Sequence, residues 1–172
     1  FIEFNYLTFT FTGVLAQTLF ASTASGIISL IQDRESDFSQ EMFVSPISRY
    51  SIIIGKILGE TLVSLIQAVG VLLFGLFMAL FFEIDISISQ LIISLPAIFA
   101  ACMLGGAFGT LIMAALGNQR SANQIFPFVI FPQFFLAGVF NPIKELPLPL
   151  FILSRLSPMT YAVDFFRGLY YL

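Results

Sequence analysis

Ser22 and Ser25, the pair Lys56 and Glu60, and the lone Cys102 are the side chains that could do chemistry in an otherwise greasy chain. A serine nucleophile needs a base, and none lies near Ser22 or Ser25 in sequence. The chain has no histidine. That excludes a zinc-binding H-E-x-x-H motif and a serine–histidine dyad. An aspartyl pair would need two acids inside the apolar stretches, and their cores hold none. Gly55-Lys56 has the ring of a phosphate-binding loop, but Tyr50 stands where the first glycine belongs and Ile57 where Ser or Thr should follow. Selectivity filters use carbonyl loops or charged rings, and neither is present. An ion-coupled carrier normally needs a buried ionisable group. Glu60 comes nearest, at a border. The chain thus shows no energy source of its own, which points to a partner that supplies it.

The elements that carry these residues are membrane helices. Apolar residues make up 58% of the 172 and charged residues 10%. Mean hydropathy is +0.98. Soluble domains carry about 25% charged residues, so this composition cannot cover a water-facing surface. Charge-free windows run from Phe4 to Gln32, Thr61 to Phe82, Ile86 to Gln119 and Ser121 to Ile143. A bilayer core about 30 Å thick needs roughly 20 helical residues. The expectation is an all-α, polytopic membrane helix bundle with four spans near 7–31, 53–82, 90–116 and 124–140. Glu3 and the lack of a basic leading segment argue against a cleaved signal peptide. The first residue is not methionine, and a fragment with further spans at either end is expected.

Four spans put both ends on one side. Arg34, Arg49, Lys56 and Arg120 fall with the links 32–50 and 117–123, against Lys144, Arg155 and Arg167 on the other side. The positive-inside rule then favours those links as cytoplasmic. No basic patch suits nucleic acid. A single cysteine excludes a disulfide within the chain.

Within the spans, Thr18, Ser22, Ser25 and Ser29 recur at steps of four, three and four, which keeps them on one face. Such a stripe serves helix packing or lines a pathway. Lys56 and Glu60 are one turn apart and can pair at the membrane border, with Lys56 snorkelling outward. Gln67 is deeper and needs either an interhelical partner or a substrate. Ala101, Gly105 and Gly109 form a close-packing face, within one chain or between two. Pro127 and Pro132 kink the fourth span. Gln133 is a group that can satisfy the carbonyls they free.

Beyond residue 140 the chain is apolar but chopped by Pro142, Pro147, Pro149 and Pro158. Short helices at, or dipping into, the interface are expected over 141–172. Ser157 and Pro158 suit the cap and first position of the last one. Asp164 and Arg167 can pair on its surface. Tyr161 opens a run of aromatics suited to an interfacial belt.

The densest charge cluster, "DRESDFSQEMFVSPISR" from Asp33 to Arg49, is the most specific feature. Asp33-Arg34-Glu35, Glu41, Ser45-Pro46 and Gly55-Lys56 resemble the link after the second membrane helix of type-2 ABC transporter permeases. "FLAGVFNPIKELP" and "LSPMTYAVDFFRG" resemble two later motifs of that family, in the same order. The resemblance implies six helices per subunit, of which this chain would hold the second to fifth plus an extracellular re-entrant segment. It also implies a separate ATP-binding cassette subunit carrying ATP and Mg, a second permease copy or paralogue, and residence in the cytoplasmic (inner) membrane. No cofactor would be bound by this chain itself. A drug, a lipid or a lipid-linked glycan would be exported.

By the same resemblance, residues 33–48 form a cytoplasmic coupling helix that docks on the ATPase. Its apolar face would run through Ile31, Phe38 and Met42, widened by Phe43 and Ile47, and Ser45-Pro46 would end it. Asp33, Asp37 and Glu41 make an acidic ridge at steps of four, where the family usually carries Gly-Thr in this stretch. A solvated face or a contact with basic residues of the ATPase would explain the ridge. The competing reading is a multi-span scaffold or channel-like subunit without transport.

Overall fold

A computed structural model describes residues 6–35, 46–79, 88–116, 118–140 and 142–170. Among the described residues all regular elements are helices. They are α1 (Tyr6–Glu35), α2 (Arg49–Ala79), α3 (Ile88–Ala115), α4 (Gln119–Leu136), α5 (Leu148–Leu156) and α6 (Pro158–Tyr170), with a 3-10 turn at Ile143–Glu145. The expected all-α bundle is therefore what forms. Three helices are long and apolar enough to cross a bilayer, over Tyr6–Ile31, Arg49–Phe74 and Leu95–Ala115.

The boundaries differ from the sequence reading in informative ways. The fourth span was expected at 124–140, but α4 starts at Gln119 and ends at Leu136. Asn118 caps its start, its side chain accepting from the Ser121 N–H at 2.8 Å. That cap converts the polar 119–124 segment from link to helix. At the other end, Gly138 has φ 68°. This left-handed position is open to glycine at low cost and turns the chain back after the C-cap Ala137. The second span was expected from residue 53, but α2 starts at Arg49, where Ser48 Oγ accepts from the Ser51 N–H at 3.2 Å.

The helix α1 is the hub. It packs against α2, α3, α4 and α6. More than half of its apolar window is buried (56%), whereas the figure for α2 is 17%. Leu62, Ile66, Leu73 and Phe74 of α2 point outward. In lipid such exposure costs little, because hydrocarbon is as apolar as leucine.

Glycine sets the tightest seam. A Cβ on Gly105 would collide with the Phe20 carbonyl of α1, and one on Gly109 would lie 2.6 Å from the Ala24 carbonyl oxygen. The G-x-x-x-G face is thus an intrachain seam, with α1 and α3 running parallel and backbones nearly touching. Ala101 and Cys102 are buried beside it. The seam between α1 and α2 is antiparallel and polar. Thr23 and Ser64 hydroxyls lie 2.7 Å apart, and Ser64 donates to Ser22 Oγ at 3.2 Å.

The segment after α4 folds back onto the bundle. In α6, Met159, Ala162, Val163 and Phe166 are buried at helical spacing, one face of a short helix. Thirteen residues span about 20 Å, too short to cross a hydrocarbon core of about 30 Å. Arg167 ties this helix down. Its Nη1 donates to the Gly138 carbonyl at 2.9 Å, and its Nη2 to those of Phe9 and Val139 at 3.1 Å each. The guanidinium carbon sits 3.6 Å from the Phe9 ring centroid. Arg167 was expected as a surface partner of Asp164. Its charge acts on the Asp164 carboxyl, and its guanidinium also turns inward, because the carbonyls left bare where α4 ends need donors.

Two outcomes test this packing. Gly105→Val or Gly109→Val should lower the melting temperature in detergent, since overpacking a tight seam costs about 1–3 kcal/mol. Gly55→Ala, Gly59→Ala and Gly70→Ala, inside α2 where nothing lies within 4 Å of an added Cβ, should not lower it and should raise it slightly through helix propensity. Arg167→Lys should also destabilise, by about 2 kcal/mol, because an ammonium cannot reach three carbonyls in one plane while stacking on Phe9.

Candidate functional site

Away from helix ends and prolines, backbone bonding uses the helical N–H and C=O groups, so functional polarity along α1 must come from side chains. Along α1 those are hydroxyls and amides on one face. Gln17, Ala21 and Ser25 are four apart, and Thr18 and Ser22 lie beside them. With Gln67 of α2 and Phe126 of α4 they line an open groove of about 440 Å³. The structure thus brings together Thr18, Ser22, Ser25 and Gln67.

The groove carries no formal charge, so its hydrogen-bonding state decides what it can hold. Thr18 Oγ1 donates to the Val14 carbonyl at 2.8 Å, and Ser25 Oγ to the Ser22 carbonyl at 2.9 Å. Both hydroxyl protons are committed to the helix, which leaves their oxygens as acceptors. Gln17 Oε1 is buried without a hydrogen-bond partner among the described residues. A buried acceptor of this kind calls for a donor. The wall is therefore uncharged, made of hydroxyl and amide groups with Phe126 as apolar flank. It suits the hydroxyl or amide groups of a neutral or amphipathic molecule and offers no counter-ion to a bare ion.

Gln17 and Phe126 were missed in the sequence. Gln17 was legible from its spacing to Ala21 and Ser25. Phe126 was not, since its place depends on how α4 crosses α1. Gln133 was expected to serve the carbonyls freed by Pro127 and Pro132. It does something else: its Nε2 donates to the Val129 carbonyl at 3.1 Å and its Oε1 accepts from Ser157 Oγ at 3.2 Å. Gln133 lies outside the groove and joins α4 to the start of α6.

At the other end of α1, Lys56 Nζ lies 3.0 Å from Glu60 Oε1. The Glu60 carboxylate packs over Gly26 of α1, where a Cβ would collide with it. Asp33, Arg34 and Glu35 form the last turn of α1. Ile31 is buried with Met113 and Ala122 in the bundle, so it belongs to the span and not to the apolar face of a separate coupling helix. Asp37, Phe38, Glu41, Met42, Phe43 and Ser45 lie outside the described residues. Pro46 is exposed in a bend just before α2.

At the opposite end, Pro142 leads into the 3-10 turn, and Pro158 opens α6. Tyr161 is exposed, and its hydroxyl donates to the Arg155 carbonyl at 2.7 Å. Burial pushes the Asp164 carboxyl up from its ordinary range, while Arg167 and Arg155 draw it back down.

These features can be set beside known proteins. Residues 2–171 match the family described as ABC-2 type transporter. The chain is 29% identical over 170 residues to ycf38 of Cyanophora paradoxa, named as a transport permease, covering 98% of this chain and 58% of that protein. It is 27% identical over 175 residues to ycf38 of Porphyra purpurea, covering 98% and 57%. To YbhR of Escherichia coli (strain K12), named as a multidrug ABC transporter permease, it is 26% identical over 144 residues, covering 83% and 38%. The chain spans between about two-fifths and three-fifths of the length of these relatives. No solved structure matches. The match over nearly every residue, on a bundle of apolar helices, places this chain in the ABC-2 type transporter family as a multi-pass membrane permease component.

Proposed function

We propose that this chain is the core of the membrane subunit of an ABC exporter, moving an amphipathic or hydrophobic molecule with ATP hydrolysed on a separate subunit. The family match over residues 2–171 carries this reading. The uncharged groove supports it, because a pathway without fixed charge suits substrates that are neutral or carry their charge at one end. A drug, a lipid and a lipid-linked glycan all fit that description, and one relative is named for multidrug transport.

In this reading α4, with Pro127 and Pro132 inside it, is the fourth crossing. Residues 33–48 face the cytoplasm and dock on the ATPase through Phe38, Met42 and Phe43. The segment 141–172 closes the extracellular side. A second permease copy or paralogue completes the pathway, in the cytoplasmic (inner) membrane. ATP and Mg sit on the partner. Transport then requires two states of the bundle that the ATPase binds with different affinity. Because α1 runs unbroken to Glu35, movement at its cytoplasmic turn reaches the groove residues on the same helix.

The permease should copurify with an ATP-binding cassette subunit whose hydrolysis rate responds to it. Deleting Phe38–Phe43 should abolish transport into vesicles and leave membrane insertion intact. Retained transport would refute the coupling role, and a permease that never captures an ATPase would favour a scaffold. Charge reversal at Asp37 and Glu41 together should weaken ATPase binding about tenfold if the ridge meets basic residues there, as measured by titration of the purified subunits. Unchanged binding would return the ridge to a solvated face.

A further inference from the structure

The groove beside α1 holds two amides, and they lie at almost one depth. Gln17 of α1 and Gln67 of α2 both line its space of about 440 Å³. The Thr23 and Ser64 hydroxyls, 2.7 Å apart, fix the level at which these antiparallel helices meet. Gln17 lies six residues before Thr23 and Gln67 three after Ser64, both toward the same end of the bundle. At about 1.5 Å of rise per residue, the two amides differ in depth by about 5 Å. We propose that Gln17 and Gln67 are the specificity-determining pair of the groove, selecting amphiphiles that carry an uncharged hydroxyl or amide group over wholly apolar ones. This selection rests on the export function proposed above and narrows its substrate class.

Depth is what makes these amides matter. The apolar runs Tyr6–Ile31 and Arg49–Phe74 have 26 residues each. Gln17 stands near the middle of the first and Gln67 well inside the second, so hydrocarbon surrounds this level of the bundle. Hydrocarbon cannot hydrogen-bond an amide, and burying one unbonded costs free energy. At this level α1 and α2 are joined by the hydroxyls of Ser22, Thr23 and Ser64, not by the amides. Gln17 Oε1 is buried without a hydrogen-bond partner among the described residues. Gln67 is exposed. Partners for them must come from outside the described residues: water, a neighbouring helix, or an occupant of the groove. The space is open and of the size that small ligands fill, which favours the occupant.

Each glutamine offers a carbonyl oxygen and an NH2 group. The last side-chain torsion of glutamine is broad, so either atom can turn toward the groove. A hydroxyl both donates and accepts, and so does an amide, so either group can satisfy the pair. A wholly apolar molecule would displace water and leave the amides unbonded. That is how a hydrogen-bonding site rejects an analogue lacking the group. Phe126 gives the remainder of the molecule an apolar wall. The lining carries no formal charge, so an ionic group gains no counter-ion there.

The test uses the full-length permease with its ATPase, in detergent for binding and in vesicles for transport. The probes are three pyrene-labelled lipids of equal chain length: a glucosyl diacylglycerol, its fully O-methylated form, and a ceramide with both hydroxyls methylated. The first offers hydroxyl donors, the second none, and the third an amide. The sugar lipid or the ceramide should bind about tenfold tighter than the methylated sugar lipid, and the tighter of the two assigns the selected group to hydroxyl or to amide. In Gln17→Leu and in Gln67→Leu that ratio should fall to about threefold or less. Two variants on two helices keep the test open if one of them misfolds. Equal binding of all three probes, or an unchanged ratio in both variants, would overturn the pair even with ATP-driven transport intact. A lipid-free melting temperature lowered in both variants, with the ratio unchanged, would assign the amides to a neighbouring helix and also overturn it. The expected ratio and its loss in the variants, without ATP-driven movement of any probe, would support the pair and overturn the export function instead.

Discussion

The contact on which the bundle depends is the meeting of α1 and α3 at Gly105 and Gly109. Lipid provides no hydrophobic force to push two apolar helices together, so they associate by packing and by polar contacts. Two glycines on one face let the α3 backbone settle against the Phe20 and Ala24 carbonyls. Once α3 occupies that side, α1 has its remaining faces for α2, α6 and the groove. A bulkier side chain would push α3 away and with it α6, which packs on both helices.

Charge is confined to the two ends of this arrangement, and each end handles it differently. At one end Lys56 and Glu60 neutralise each other, with the carboxylate lying on the bare Cα of Gly26. At the other, the Arg167 guanidinium donates to three backbone carbonyls. The first arrangement cancels a charge before it approaches the apolar seam. The second satisfies backbone acceptors at the turn around Gly138. Between them, the hydroxyls of Thr23, Ser64 and Ser22 join α1 to α2 without charge. The middle of the bundle is thus polar enough to be specific and neutral enough to be stable in lipid.

Much of this was legible because lipid makes sequence rules strict. A window of 20 uncharged residues has few options other than a helix, so the three crossing helices could be placed from charge alone, while the expected fourth span at 124–140 is not among them. Gly105 and Gly109 announced a tight seam, though whether its partner was α1 or another copy required the fold. Helix ends were less legible. The caps at Asn118 and Ser48 extend α4 and α2 beyond their apolar cores, and apolar runs do not show them. Polar side chains were hardest to assign. Gln133 and Arg167 each had a plausible neighbour in sequence, the prolines for one and Asp164 for the other. Both reach to carbonyls or side chains brought close by the turn after α4. Periodicity finds which face a residue occupies, but it cannot say which polar group lies opposite.

The single helix α1 links these regions mechanically. Its first turn supplies the Phe9 carbonyl and ring to Arg167, its middle lines the groove, and its last turn holds Asp33, Arg34 and Glu35. Glycine occurs twice in it, at Gly13 and Gly26, and proline not at all. Both glycines are contact sites, Gly13 beneath Arg167 and the Val139 carbonyl, Gly26 beneath Glu60. Neither is needed for a kink, and the helix runs unbroken through both. The prolines lie in the neighbours, Pro96 in α3 and Pro127 and Pro132 in α4. Kinks in membrane helices concentrate at proline, so α3 and α4 carry sites for a kink that α1 lacks. Under the proposed export function, that division would let the α1 face stay fixed to α2 through Thr23 and Ser64 while α4, which contributes Phe126 to the groove, moves relative to it.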